Sequence, residues 1–446
     1  MEMAVLTALM VGPTLASPVK NLPKPVQVTP GGPEDIIINA QDTLNGTFKG
    51  TSSSKNEDLM AAASSGALPL QIVNNLAGSG SGAVNAYISG LDSNNNVVFL
   101  QADGSFYYPA GTTSAVPVQI TANIGIPIGA EGTTTTITIP DYISSGRVYL
   151  AVGTLQFFVV SNGSGGVGLV QPSATNPSDP SANTNWGFIE LTNTAAGGLY
   201  TNISYVDFIG LILGMSVTAG DGSVQTALGL KSDAVNTICT ALAAQTASDG
   251  YPWASLCQTD TSGKYLRVLS PNDYVSTDSS AFSDYWTSYV SQVYSKYSSS
   301  PLTINTQAAA GDVTCTSGGS THLTCQGSDV TFAQPSAADI FGCNSGPFAV
   351  TGNAVDAAIV PRLCAAFNRG TLLLSGGDVQ PSLGADSYYT VSPCNYYSKF
   401  VHENEVDGKG YAFSYDDVNP DGENASGELV TTNPTALIIT VGGPSS

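Results

Sequence analysis

Between residues 67 and 161 the apolar side chains come in short β-rich runs, each closed by Gly, Asn-Asn or Pro. The runs are ALPLQIVNNL, AVNAYISGLDSNNNVVFLQADGSFYYP, VPVQITANIGIPIG, TTTTITIP, GRVYLAVG and TLQFFVVS. Turn signals this frequent indicate an antiparallel sandwich or barrel. The stretch NWGFIELTNTAAGGLYTNISYVDFIG, Asn185 to Gly210, closes the series as two strands around a Gly-rich turn.

After Gly210 the period changes. SDAVNTICTALAAQ puts Val235, Ile238, Cys239, Leu242 and Ala243 on one helical face, with Ser232 placed to cap it. SAFSDYWTSYVSQVYSKY carries a second stripe of Phe282, Trp286, Tyr289, Val290, Val293 and Tyr297. NAVDAAIVPRLCAAFNRG is a third helix, kinked at Pro361 and ended by Gly370. TLLLS, GKGYAFSYDDV and TALIITVGG have strand character. The expected fold is mainly β with an α/β insertion: a β-barrel or sandwich domain over 66–210, a mixed α/β domain over 211–395, and C-terminal strands over 396–446 that return to the β domain. Residues 17–65 are Pro-, Ser- and Gly-rich and are expected to form an N-terminal arm, and residues 1–16 have the outline of a secretory signal peptide.

The balance of 34 acidic against 13 basic residues gives a net charge of −21, which repels nucleic acid and anionic lipid. It suits a secreted protein whose ligand is neutral. No segment approaches the roughly 20 apolar residues that span a bilayer. Seven cysteines fit export. Cys315 and Cys325 bracket a strand-turn-strand, Cys257 follows the helix that carries Cys239, and Cys343, Cys364 and Cys394 leave one thiol over. CxxC is absent, and His322 and His402 are far apart in sequence, so neither a metal nor a cofactor is expected. LDSNNN and NPDGENASGE lack EF-hand spacing and are expected to be turns. Of the sequons at Asn45, Asn162, Asn202 and Asn424, that at Asn202 falls inside the hairpin and is expected to be an unmodified strand residue. An aspartic protease would need two D-[TS]-G loops, which the chain lacks.

The hairpin holds two carboxyl groups among aromatics. Trp186, Phe188, Glu190 and Thr192 share one face of the first strand, and Tyr205 shares a face with Asp207 on the return. An aromatic plane can stack on a sugar ring, and an apolar neighbour raises a carboxyl pKa so that it holds a proton to donate. Glycoside hydrolysis needs two carboxyls in unlike states, about 5 Å apart for retention and roughly 6.5–9.5 Å for inversion. A turn centred near Ala196 sets Glu190 opposite Asn202 and leaves Asp207 roughly 16 Å along the strand. A turn between Gly198 and Leu199 makes the two carboxyls face each other, and a bulge gives the inverting distance. Two solvated strand carboxylates are the plain alternative. Asp416, Asp417, Glu403 and Glu405 are competing acidic positions.

NWGFIELT…LYTNISYVDFIG, DIFGCNSGPF, RLCAAFNRGTLL, YYSKFVHE and GKGYAFSYDDV together resemble glycoside hydrolase family 64, β-1,3-glucanases of thaumatin-like fold. The resemblance runs from about residue 65 to the C-terminus. It implies a wide groove between the two domains, β-1,3-glucan as partner, and inverting endo-cleavage that releases laminaripentaose. It implies Glu190 as acid and Asp207 as base, with Thr192 and Thr194 as sugar contacts. Trp186, Tyr205, Tyr411, Asp416, Asp417 and His402 become substrate-binding candidates. Each has a structural alternative: core for Trp186, a network with turn backbone for Tyr411, Asp416 and Asp417, and a satisfied structural histidine for His402. The implied protein is an extracellular monomer. A non-catalytic glucan-binding protein on the same scaffold is the rival expectation.

Overall fold

The turn-punctuated runs pair into mainly antiparallel sheets, with Leu68–Asn74 and Pro434–Val441 parallel, in the computed structural model, which describes residues 24–28, 66–162, 166–319, 321–349 and 352–444. The expected signal peptide and nearly all of the arm lie outside the described residues. The largest sheet has eight strands. Its path runs Leu429–Thr431, Gly198–Ile203, Asn185–Thr194, Ile143–Val152, Val84–Leu91, Val97–Leu100 and Phe106–Tyr107, and Ile126–Pro127 also pairs with Val84–Leu91. A five-stranded sheet runs Val224–Ala227, Leu213–Ala219, Pro434–Val441, Leu68–Asn74 and Thr134–Ile139.

These two sheets meet face to face. Thr201 of the large sheet bonds Met215 Sδ of the smaller one at 3.6 Å. Leu191 is the register partner of Thr201, so Ile189 and Leu191 share that inner face. Trp186, Phe188, Glu190 and Thr192 alternate with them and point the other way. In Leu68–Asn74 buried and half-buried residues alternate, as a strand with one covered face requires.

The C-terminal strand Pro434–Val441 lies between Leu213–Ala219 and Leu68–Asn74. The chain's end therefore rejoins the first sheets, and the β layer extends to Ala227, beyond the expected boundary at 210. The intervening residues carry six helices among those described, a second five-stranded sheet, and a four-stranded sheet into which Phe208–Ile209 runs.

Several local expectations change in three dimensions. The first helix is Ala234–Asp249, and Asp233, not Ser232, stands at its N-cap, its side chain accepting from the Thr237 hydroxyl and not from a backbone N–H. The aromatic stripe is buried throughout, yet only Thr287–Lys296 is helical, because Phe282 takes a left-handed φ of 60° and ends the regular path. The third helix, Ala354–Arg369, keeps Pro361 inside and ends at Gly370 with φ 71°, where the lack of a Cβ removes the steric cost. TLLLS is a turn, not a strand: the Leu372 carbonyl accepts from Tyr297 and Lys296 instead of from a neighbouring strand. GKGYAFSYDDV is likewise mostly turn, paired only by a bridge between Ser204 and Tyr411. Disulfides join Cys239–Cys257, Cys315–Cys325 and Cys343–Cys364, leaving Cys394 as the buried thiol.

Candidate active site

The hairpin takes the register that sequence geometry found least favourable to a carboxylate pair. Glu190 pairs with Asn202 and Thr194 with Gly198, which centres the turn on Ala196. Had the return strand continued straight, Asp207 would lie far down the sheet. It does not continue. The strand ends at Ile203, and the chain crosses to the four-stranded sheet, where Phe208 pairs with Leu269. Four hydrogen bonds fix the crossing. Tyr205 N–H donates to Tyr411 O at 2.8 Å, and Tyr411 N–H donates to Ile203 O at 3.3 Å. The Tyr397 hydroxyl donates to Tyr205 O at 2.6 Å, and Ser270 N–H donates to Asp207 O at 2.8 Å.

This crossing returns Asp207 to Glu190. Arg147, the cross-strand partner of Glu190 on Ile143–Val152, reaches both. Its Nη2 lies 3.1 Å from Glu190 Oε1 and 3.8 Å from Asp207 Oδ2. Two oxygens on one nitrogen can be no further apart than the two distances end to end, about 7 Å, a ceiling that includes the retaining distance and reaches only the low end of the inverting range. Phe188 supports the guanidinium from 4.2 Å. The Tyr149 hydroxyl donates to Gln171 Oε1 on the same face.

Burial raises the Glu190 carboxyl above its ordinary range; Arg147 pulls it down and Asp207 pushes it up. Burial also raises Asp207, against Arg147. The Glu190 side chain is 19% exposed and that of Asp207 is 34%, so desolvation weighs more heavily on Glu190. Burial opposes the charge on Arg147, but Tyr149, Glu190 and Asp207 hold its pKa above the ordinary value.

An open cleft of about 120 Å³ reaches Asp207 and Arg147; Trp186, Phe188, Asn272, Asp273 and Asn344 also line it, and Glu190 does not. A larger cavity of about 410 Å³ elsewhere on the β layer is lined by no carboxylate.

The other candidates separate by position. Thr192 is half-buried two residues from Glu190, and its Oγ1 accepts from Ser145 N at 3.3 Å. Thr194 faces the hairpin turn, its Oγ1 accepting from Gly197 N. Trp186 is 2% exposed and packs edge-on against Phe208 at 4.5 Å, forming cleft floor. Tyr205 is buried beneath Gly410, where an added Cβ would lie 2.7 Å from its ring. Burial raises the pKa of Asp417, and its contact with Tyr411 lowers it; Asp417 also acts on Tyr200, the register partner of Thr192.

Asp416 and His402 belong to a buried ion network instead of a cleft wall. Asp416 is fully buried and accepts from Arg369, Ala412 N and His402. His402 bonds Glu405 at 2.9 Å and Asp416 at 3.0 Å. Burial disfavours its charge, but those two carboxylates overcome it and push its pKa up to about 10. Both ring nitrogens are thereby engaged as donors, which leaves none for a ligand. Among the described residues no group of three or more His, Cys, Asp or Glu is arranged to hold a metal.

Arg147 is the residue that pattern reasoning passed over. Its signal was present: an arginine inside the apolar strand GRVYLAVG, in a chain with 13 basic residues, needs a buried anion.

The likenesses to known proteins span the same residues. The chain is 31% identical over 370 residues to a glucan endo-1,3-beta-glucosidase of Cellulosimicrobium cellulans, and 31% over 373 residues to one of an Arthrobacter strain. Each match covers 80% of this chain and 62% of the relative's length. A crystal structure of a laminaripentaose-producing beta-1,3-glucanase in complex with laminaritetraose superposes with a TM-score of 0.73 at 28% identity, over 84% of this chain and 98% of the other. The β-1,3-glucanase family model of glycoside hydrolase family 64 matches residues 66–441. A match that runs through both sheets, the crossing segment and the returning C-terminal strand places this chain in glycoside hydrolase family 64, the β-1,3-glucanases.

Proposed function

We propose that the protein is a secreted endo-β-1,3-glucanase acting by inversion. The observation that carries this is the Glu190–Asp207 pair, two desolvated carboxyls on one guanidinium nitrogen, with Asp207 and Arg147 lining an open cleft. Glu190, the more enclosed, keeps its proton and delivers it to the glycosidic oxygen as that bond breaks. Asp207, the more exposed, is the anion: it takes a proton from a water whose oxygen bonds the anomeric carbon from the opposite face. The Arg147 charge lets one proton serve two neighbouring acids without full repulsion. Thr192 and Asp417 extend the polar floor past Glu190 for sugar hydroxyls, and Trp186 forms its apolar base. Thr194 and Tyr411 bound that floor at the hairpin turn and the crossing.

The same proposal includes a thaumatin-like β domain, a wide groove between it and the α/β region, and a monomer. Three disulfides support an oxidising compartment. A polymer of uncharged sugars is compatible with the −21 charge, which offers an anionic chain no attraction.

Glu190→Gln and Asp207→Asn should each lower kcat on laminarin by about 10²–10⁴-fold with unchanged circular dichroism. Proton NMR of the wild-type digest should show the α-anomer first. An initial β-anomer would make Asp207 a nucleophile and the mechanism retaining. Retention on insoluble glucan with no sugar released would favour a binding protein.

A further inference from the structure

Asn272, Asp273, Gly342 and Asn344 of the α/β region line the same cleft as Arg147 and Asp207, and the first two are tied to Asp207 by backbone. Ser270, whose N–H holds the Asp207 carbonyl, is also the N-cap of helix Pro271–Thr277, its Oγ accepting from Asp273 N at 3.2 Å. Pro271 occupies the first helical position, where its missing N–H costs nothing. Asn272 is therefore the second residue of a capped turn bonded to the peptide of Asp207.

A second asparagine reaches the same point from another element. Helix Ala337–Gly342 ends at Cys343, in the left-handed region at φ 60° and disulfide-bonded to Cys364, and Asn344 follows it. The two amides converge over Gly342: a Cβ there would lie 2.6 Å from Asn272 Oδ1 and 3.1 Å from Asn344 Oδ1. Neither side chain hydrogen-bonds another group among the described residues, and both line the cleft beside Asp207. Asn272 is half-buried and Asn344 exposed.

We infer that Asn272 and Asn344 form an uncharged recognition wall for the sugar unit on the Asp207 side of the scissile bond. This inference rests on the glucanase reading of the site. An amide offers donors and an acceptor without charge, so it can bind hydroxyls without moving the proton equilibrium of the carboxylates. Gly342 is part of the device, because any side chain there would push both amides aside.

The test uses three variants: Asn272→Ala, Asn344→Ala and Gly342→Ala. The first two delete an amide; the third keeps both and displaces them. Each asparagine deletion should raise KM for laminari-oligosaccharides about threefold to tenfold, the value of one neutral hydrogen bond, with kcat and the pH profile little changed. Gly342→Ala should reproduce the combined loss, and the product lengths should shift in all three. Calorimetric titration of laminaritetraose into the same variants on the Glu190→Gln background should show the same loss of affinity. Active variants with wild-type KM, affinity and product lengths would overturn the recognition wall while leaving the glucanase proposal standing. Wild-type protein that cuts no β-1,3-glucan would instead overturn the glucanase proposal, and the titration would then judge the wall by itself. A shifted pH profile would assign the asparagines to the carboxylates and not to sugar.

Discussion

Burial raises the pKa of both carboxyls, and Arg147, 3.1 and 3.8 Å away, opposes it in each. Arg147→Met should therefore raise both further. Under the proposed mechanism Asp207 is ionised and Glu190 protonated in the active form, so the acid and alkaline limbs of the pH–rate curve should both move to higher pH. Stability follows the same sign. A carboxyl whose folded pKa lies above its unfolded value adds stability at low pH and loses it as pH rises through the folded pKa. The variant should be nearly as stable as wild type at pH 4 and weaker by about 3 kcal/mol at pH 7, the low end for an unpaired buried charge because Asp207 is partly solvated. Urea unfolding at the two pH values checks this, and an equal deficit at both would contradict it. Sequence named the two acids because an aromatic-flanked carboxyl is visible in one dimension. It did not name Arg147, whose partnership crosses between strands.

The crossing segment from Ile203 to Phe208 is the element on which the pair depends. Its carbonyls and N–H groups are held by Ser270, Tyr397 and Tyr411, 63 to 208 positions away in sequence. Tyr397→Phe removes the donor to Tyr205 O and leaves that carbonyl short of a partner, a cost of about 1–3 kcal/mol. Because Tyr205 lies two residues before Asp207, kcat should fall about tenfold with KM nearly unchanged, the cost of a small misplacement. Thermal unfolding together with steady-state kinetics would separate the two effects, and a lower melting temperature with full kcat would remove Tyr397 from the positioning of Asp207. Hairpin strands and helix Ala354–Arg369 were legible because alternation, Asn353, Pro361 and Gly370 are local signals. The turns at TLLLS and GKGYAFSYDDV were not, because their carbonyls and N–H groups find partners in distant segments.

At the level of the whole molecule, Leu68–Asn74 and the C-terminal strand complete one sheet. Pro434–Val441 sits between Leu213–Ala219 and Leu68–Asn74, with Leu437, Ile439 and Val441 fully buried. Deleting residues 434–446 would unpair two strands and expose that core. The truncated protein should fail to accumulate in soluble form, whereas deleting 445–446 should leave the melting temperature within about 2 °C. Soluble, active protein after the longer deletion would show the strand to be dispensable. Alternating apolar runs and turn residues determined a mainly β protein, because these properties depend on near neighbours, and the aromatic-flanked Glu190 and Asp207 stood out as candidates by the same local reading. The tertiary structure decided the rest: a hairpin register that separates the acids along the strand, and a crossing that rejoins them on Arg147. Pairings between distant segments carry no local periodicity, so only the folded chain could bring Glu190 and Asp207 to the same guanidinium.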